Sequence, residues 1–185
     1  TGSGKTSSLY ATLNELNKDN VNIVTIEEPV EYKLIGINQV AVNNKAGLTF
    51  AKGLRSIVRQ DPNVIMVGEI RDEETASIAL QAALTGHLLF STLHTNTAIG
   101  AVARLLDMGI PKYLLSAALR GVVGQRLVRR ICPKCVQEYD ASDAEKELLD
   151  MTDCDSVVLK RGTGCSHCNL SLIHISEPTR HLRIS

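Results

Sequence analysis

At 185 residues the chain can form one medium domain plus a small appendage, with a real core. Hydrophobic residues make up 44% and charged residues 22%, and no low-complexity tract appears, which excludes a disordered or fibrous chain. Twenty basic and twenty acidic side chains cancel, and aromatics reach only 3% with no Trp. No net field draws the chain to nucleic acid or anionic lipid, and the stacking platforms of single-strand binders are scarce, leaving room only for a local patch.

The first residues, Thr1-Gly2-Ser3-Gly4-Lys5-Thr6, match the end of the phosphate loop GxxxxGK[ST]. Its first glycine would stand two positions before residue 1, so the expectation is a piece of a longer chain. Glycines let backbone N–H groups close around phosphate oxygens, the lysine meets the terminal phosphate charges, and the hydroxyl ligates Mg²⁺. Gly4, Lys5 and Thr6 would take those parts. A helix must follow so that its amino end faces the anion, and Leu9, Leu13 and Leu16 supply an apolar stripe at helical spacing. The plain alternative is a glycine-rich turn that happens to end in Lys-Thr.

Two apolar runs read as buried parallel strands: 21–26, closing on Glu27-Glu28-Pro29-Val30-Glu31, and 64–67, closing on Gly68-Glu69. Carboxylates at a strand's carboxyl end lie on the edge where open α/β sheets bind ligands, within reach of Mg²⁺, a water or a γ-phosphate. A solvated acidic loop is the alternative. Between these runs, Leu54, Ile57 and Val58 form a helical face with Arg55 and Arg59, ended by Asp61-Pro62. Asp72 is placed to cap a helix through Ala76, Ala79, Leu80 and Ala83, with Gly86 ending it in a left-handed turn. A third strand follows at 87–94, flanked by His87 and His94 at opposite ends. A strand-end histidine is more often packed or capping than functional, but His94 shares the carboxyl edge with the acids, where a γ-phosphate sensor belongs.

The stretch 75–103 lacks Asp, Glu, Lys and Arg, yet Gln81, His87, His94, Asn96 and several hydroxyls make it unfit to span a bilayer. With no targeting signal at the start, a soluble intracellular protein is expected.

Cys132-Pro-Lys-Cys135 and Cys165-Ser-His-Cys168 are two CxxC pairs that can take the corners of a tetrahedral zinc site. The long interval between them accommodates a helix opened by a Ser142–Glu145 capping box before Leu148 and Leu149, and a strand at 157–159. A disulfide framework is the rival and is disfavoured in a reducing compartment. Cys154 reads as a free thiol. His167 could replace a cysteine, though four thiolates make that unnecessary.

Five segments together resemble the ATPases that drive type II secretion and type IV pilus assembly: TGSGKT (1–6), TIEEPVEY (25–32), LRSIVRQDPNVIMVGEIRDEET (54–75), TGHLLFSTLHTN (85–96) and GQRLVRRICPKC (124–135). They resemble that family's Walker A, aspartate box, Walker B, histidine box and the entry to its metal subdomain, in register over residues 1–169. The resemblance implies an α/β, RecA-like P-loop core, a mostly parallel sheet with flanking helices, over residues 1–130, and a tetracysteine zinc subdomain over 131–169. It implies that Thr1, Gly2, Ser3, Gly4, Lys5 and Thr6 bind ATP and Mg²⁺, that Glu69 is the Walker B glutamate, and that Glu31 positions the attacking water. His87 and His94 match the paired histidines that couple the γ-phosphate site to neighbouring elements. Cys132, Cys135, Cys165 and Cys168 would hold Zn²⁺, a feature of the secretion and extension motors rather than the retraction motors. Glu28 stands where the family usually has aspartate, and the family's Gly-Glu in place of a strand-end Asp leaves open whether the carboxylate meets Mg²⁺ directly or through water.

Implied too are a homohexamer, an inner-membrane platform protein as partner, no nucleic acid, and a cytoplasmic place peripheral to the inner membrane. Arg55, Arg59, Arg71 and Arg104 are candidates to complete a neighbour's site, with surface salt bridging the plain alternative for each. With the phosphate loop incomplete, negligible turnover is expected of these 185 residues alone. Residues 170–180, LSLIHISEPTR, resemble an in-frame translation of a transposase-type sequencing adapter. Residues 170–185 are therefore set apart from the fold, and His174 and His181 receive no role.

Overall fold

In a computed structural model of the chain, residues 2–168 and 173–184 are described, with side chains for 2–128 and 130–168. The chain divides into two compact units, Thr1–Gln125 with Leu182–Ser185, and Arg126–His181.

The first unit is built on β1 (Ile23–Glu27), β2 (Asn38–Ala41), β3 (Val64–Val67) and β4 (Leu88–Ser91), in the order β2-β1-β3-β4. All three pairings are parallel. Every residue of β1 and β3 is buried, as expected of central strands covered on both faces. Alternation sorts their side chains. Val24, Ile26, Ile65 and Val67 join one core cluster, while Ile23, Val64 and Met66 join the other with Tyr10 and Leu13.

Helix α1 (Lys5–Leu16) packs on the second of these clusters, and α2 (Phe50–Ile57) and α3 (Glu73–Leu84) pack on the first. Helices α4 (Ala98–Asp107) and α5 (Lys112–Ala118) complete the unit. Thr49, Asp72 and Thr97 cap α2, α3 and α4, each side chain accepting a backbone N–H from the first turn. Gly86 takes φ +106 just beyond α3, the left-handed turn its position called for. The register pairs Ile26 with Val67 and Val67 with Ser91, so β1, β3 and β4 finish on a common edge. Gly68 N–H donates to the Ile26 carbonyl at 2.8 Å, and the Thr92 hydroxyl donates to the Gly68 carbonyl at 2.8 Å, stitching that edge together.

In the second unit β6 (Val136–Asp140) and β7 (Val158–Gly162) form an antiparallel pair, joined through α6 (Asp143–Leu148). The capping box is formed in both directions, Ser142 with the Glu145 amide and Glu145 with the Ser142 amide. Strands β5 (Val123–Ile131) and β8 (Ile173–Ile184) make a further two-stranded ladder. Among the described residues no helix is long and apolar enough to cross a membrane.

Candidate functional site

The glycines of the opening loop adopt conformations that side chains resist. Gly2 lies at φ +78 and Gly4 at φ +75, and Gly4 is the residue from which α1 starts. The first amides of that helix have no intrahelical acceptor and carry the positive end of its dipole, the arrangement that receives phosphate. Lys5 and Thr6 are half-buried at this turn. Thr1 lies outside the described residues. Gln125 braces the loop: its Nε2 donates to the Ser3 carbonyl at 2.6 Å, and its Oε1 accepts from the Ser8 hydroxyl at 2.8 Å. A methyl placed on the adjoining Gly124 would stand 3.5 Å from Ala98, the first residue of α4 and only four residues past His94.

Just beyond β3, Glu69 gathers two of the other candidates. Arg71 Nη2 donates to Glu69 Oε1 at 2.5 Å while its Nη1 donates to Glu28 Oε2 at 3.1 Å, and His94 Nε2 lies 3.3 Å from Glu69 Oε2. The hydrogen bond from Arg71 is the main reason the Glu69 carboxyl sits below its ordinary range. Burial opposes it, and the charges of Arg71 and His94 reinforce it. A cleft of about 260 Å³ opens beside the cluster, lined by Ile70, Arg71, Leu93, His94, Arg104 and Met108. Arg71 is thus engaged within its own chain. Arg55 pairs with Glu74 at 2.6 Å and Arg59 donates to the Arg55 carbonyl at 3.2 Å, whereas Arg104 faces the cleft.

His87 is not part of this cluster. It stands at the amino end of β4, with Nδ1 2.8 Å from the Pro62 carbonyl. Glu31 is exposed, and its backbone N–H donates to the Tyr10 hydroxyl at 3.3 Å. Tyr10, one residue off the leucine stripe, is a hub the sequence reading passed over. Its hydroxyl donates to Glu27, a carboxylate only 2% exposed that also accepts from Thr25 Oγ1 at 2.6 Å and Gln39 Nε2 at 3.2 Å. Spacing could have revealed Tyr10, since it stands three residues before Leu13 on the same helical face. For Gln125, distant from the loop in sequence, no local signal exists.

In the second unit the four cysteine sulfurs lie within 4.8 Å of one another. Cys132 to Cys165 and Cys135 to Cys168 are 3.9 Å apart, and Cys165 to Cys168 is 3.7 Å. A tetrahedral ion with sulfur bonds of about 2.3 Å requires sulfur separations of about 3.8 Å, so the cluster can hold such an ion. The cysteines form no disulfide, which removes the rival reading, and Cys154 is exposed outside the cluster. Burial pushes the Cys135 thiol up to about 11. The Cys168 backbone N–H, foremost, brings Cys165 down to about 7. Each CxxC turn is closed by its own backbone, Cys135 N–H to the Cys132 carbonyl and Cys168 N–H to the Cys165 carbonyl.

A parallel sheet sandwiched between helices, entered from a Gly-Lys-Thr turn and bearing acids on its carboxyl edge, defines the first unit as a RecA-like P-loop core. Its nearest assignment follows from comparison with known proteins. A profile of the family described as Type II/IV secretion system protein matches residues 1–175, and the chain belongs to that family. It is 56% identical over 169 residues to the type II secretion system ATPase E of Vibrio cholerae, covering 91% of this chain and 34% of that protein. It is 57% identical over 169 residues to the type II secretion system protein E of Pseudomonas aeruginosa, with the same coverage. Among solved structures, the pilus retraction motor PilT with bound ADP superposes with a TM-score of 0.65 at 41% identity, covering 71% of this chain and 41% of that one. The VirB11 ATPase of the Brucella suis type IV secretion system superposes at 0.56 with 28% identity, covering 66% and 41%. The chain spans about a third of the length of the curated relatives it matches.

Proposed function

We propose that this chain is the motor core of an ATPase that powers type II protein secretion or type IV pilus assembly. One observation carries the reading: an amide-rich loop at the amino end of α1 is braced by Gln125, whose neighbour Gly124 lies against the segment that carries His94, and His94 in turn contacts Glu69. Triphosphate chemistry asks little covalent work of a protein, so catalysis rests on holding charge and placing water.

Lys5 and the amides after Gly4 would hold the phosphate charge, and the Thr6 hydroxyl would ligate Mg²⁺, with Glu69 supporting the ion through its waters. Bound Mg²⁺ neutralises charge on the phosphate oxygens. Glu31 orients the attacking water, and its loop is anchored to α1 through Tyr10. His94 reads the γ-phosphate beside Glu69, while His87 couples from the far end of β4 through its bond to Pro62. Cys132, Cys135, Cys165 and Cys168 hold a structural Zn²⁺, as the sulfur spacing supports. In this reading the motor works as a homohexamer on an inner-membrane platform protein, at the cytoplasmic face and peripheral to the membrane. Residues 170–185 take no part in it.

Steady-state hydrolysis of Mg²⁺·ATP by the full-length protein tests the proposal. Lys5→Ala and Glu69→Gln should each lower turnover by at least about a hundredfold, a scale set by losing one preorganised charge contact. Wild-type turnover in Lys5→Ala would overturn it. Hydrolysis that rises on adding DNA would point instead to a nucleic-acid motor.

A further inference from the structure

The phosphate loop has a brace from far along the chain, and its geometry says what the brace does. Across a trans peptide the carbonyl and the following N–H point in opposite directions. The Ser3–Gly4 bond is not among the cis peptides, the Glu28–Pro29 bond being the cis one in the described chain. Whatever fixes the Ser3 carbonyl therefore fixes the Gly4 N–H to the opposite side. Gln125 Nε2 holds that carbonyl at 2.6 Å.

The Gln125 amide is itself locked. A carboxamide presents a donor and an acceptor in one plane, and here both are used, the acceptor by the Ser8 hydroxyl at 2.8 Å. Flipping the amide would set its oxygen against the acceptor-only Ser3 carbonyl, so one orientation survives. Gln125 is 8% exposed, and burial protects both bonds from competition by water. Ser8 lies on α1, one turn beyond Gly4, whose carbonyl accepts the Ser8 N–H at 3.1 Å. Gln125 thus spans from the loop carbonyl to the helix that the loop opens.

We propose that Gln125 is a positioning residue for phosphate binding: with Ser8 as its anchor, it turns the Ser3 carbonyl away from the ligand and so aims the Gly4 N–H at it. Gln125 touches no phosphate. The inference rests on the proposed nucleotide site and adds to it a residue outside the loop motif. An amide aimed in advance strengthens ground state and transition state alike, so its loss raises KM and leaves kcat nearly unchanged.

The test measures Mg²⁺·ADP affinity and steady-state ATP hydrolysis in the full-length protein. Gln125→Met keeps length and volume but removes both bonds. It should weaken ADP binding and raise KM for ATP by about tenfold, with kcat within about twofold of wild type. Ser8→Ala frees the amide to turn and should cost about threefold, and the double variant should bind no worse than Gln125→Met alone, because both remove one device. Gln125→Glu keeps the acceptor for Ser8 but turns a carboxylate toward the Ser3 carbonyl, and should lose at least as much as Gln125→Met. It also serves if Gln125→Met fails to fold. Unchanged ADP affinity in either Gln125 variant overturns the proposal. So does a fall in kcat with KM unmoved, the pattern of general loosening. Lys5→Ala, run alongside, separates the two levels: if it binds ADP as wild type, the nucleotide site itself fails, whereas if it alone loses binding, only the role of Gln125 fails.

Discussion

Two titratable side chains, Tyr10 on α1 and Glu69 just beyond β3, are shifted in opposite directions. Tyr10 is pushed up to about 12, first by burial and then by its bond to Glu27. Folding therefore favours the protonated phenol. The stability this adds is whole below the ordinary value of 10.0 and disappears as pH rises from there through about 12. Ultraviolet titration should show one phenol ionising near 12 that is missing from Tyr10→Phe. That variant deprives a buried carboxylate of a donor and should lose about 1–3 kcal/mol in urea unfolding at neutral pH.

Glu69 runs the other way. Its lowered carboxyl adds stability above the ordinary 4.5, and that contribution is lost as pH falls through the lower value of the folded state. Arg71→Met should move the Glu69 titration upward in carboxylate NMR. Because the Arg71 side chain is 58% exposed, the stability change should stay below about 1 kcal/mol.

Among the elements, α2 shows how closely a helix is drawn to the sheet. A methyl placed on Gly53 would stand 2.1 Å from Ile26 Cδ1 and 3.6 Å from Leu48 Cδ1, with Ile26 wholly buried in β1. Ile26 can yield only by disturbing neighbours in the same cluster. Gly53→Ala should therefore destabilise by about 1–2 kcal/mol, overpacking outweighing the better helix propensity of alanine, as measured by the urea midpoint. Strand β2 shows the reverse. Asn38-Gln39-Val40-Ala41 is half-exposed at the sheet's rim, and it carries neither an unbroken apolar run nor a clean alternation to mark it as a strand. It becomes one because β1 presents a free ladder, pairing Val24 through Glu27 with Asn38 through Ala41.

At the scale of the whole molecule, the two units are held by different physics. The first has a two-sided apolar core, whereas among the described side chains of the second the buried cluster is one of cysteines, Cys132, Cys135 and Cys168. A chelator strong enough to take zinc should abolish amide-exchange protection in β6 and β7 while leaving the high Tyr10 titration unchanged. Cys132→Ser should lower bound zinc from about one ion per chain to none, read by metal analysis of the purified protein.

Much of this was legible in the chain itself wherever a local rule acts. Buried strands announced themselves as apolar runs at 64–67 and within 21–26, Asp72 and the Ser142–Glu145 pair as caps, Gly86 as a helix stop, and the CxxC pairs as one cluster of four cysteines. Each depends on neighbours within a few residues, so composition and spacing suffice. What only the tertiary structure decided were partnerships across long separations: Gln125 with Ser3, Tyr10 with Glu27, and Arg71 with Glu28. Polar side chains such as these have no period to betray them. Their partners are chosen by where a parallel sheet brings its strand ends together, and one chain of letters does not contain that geometry.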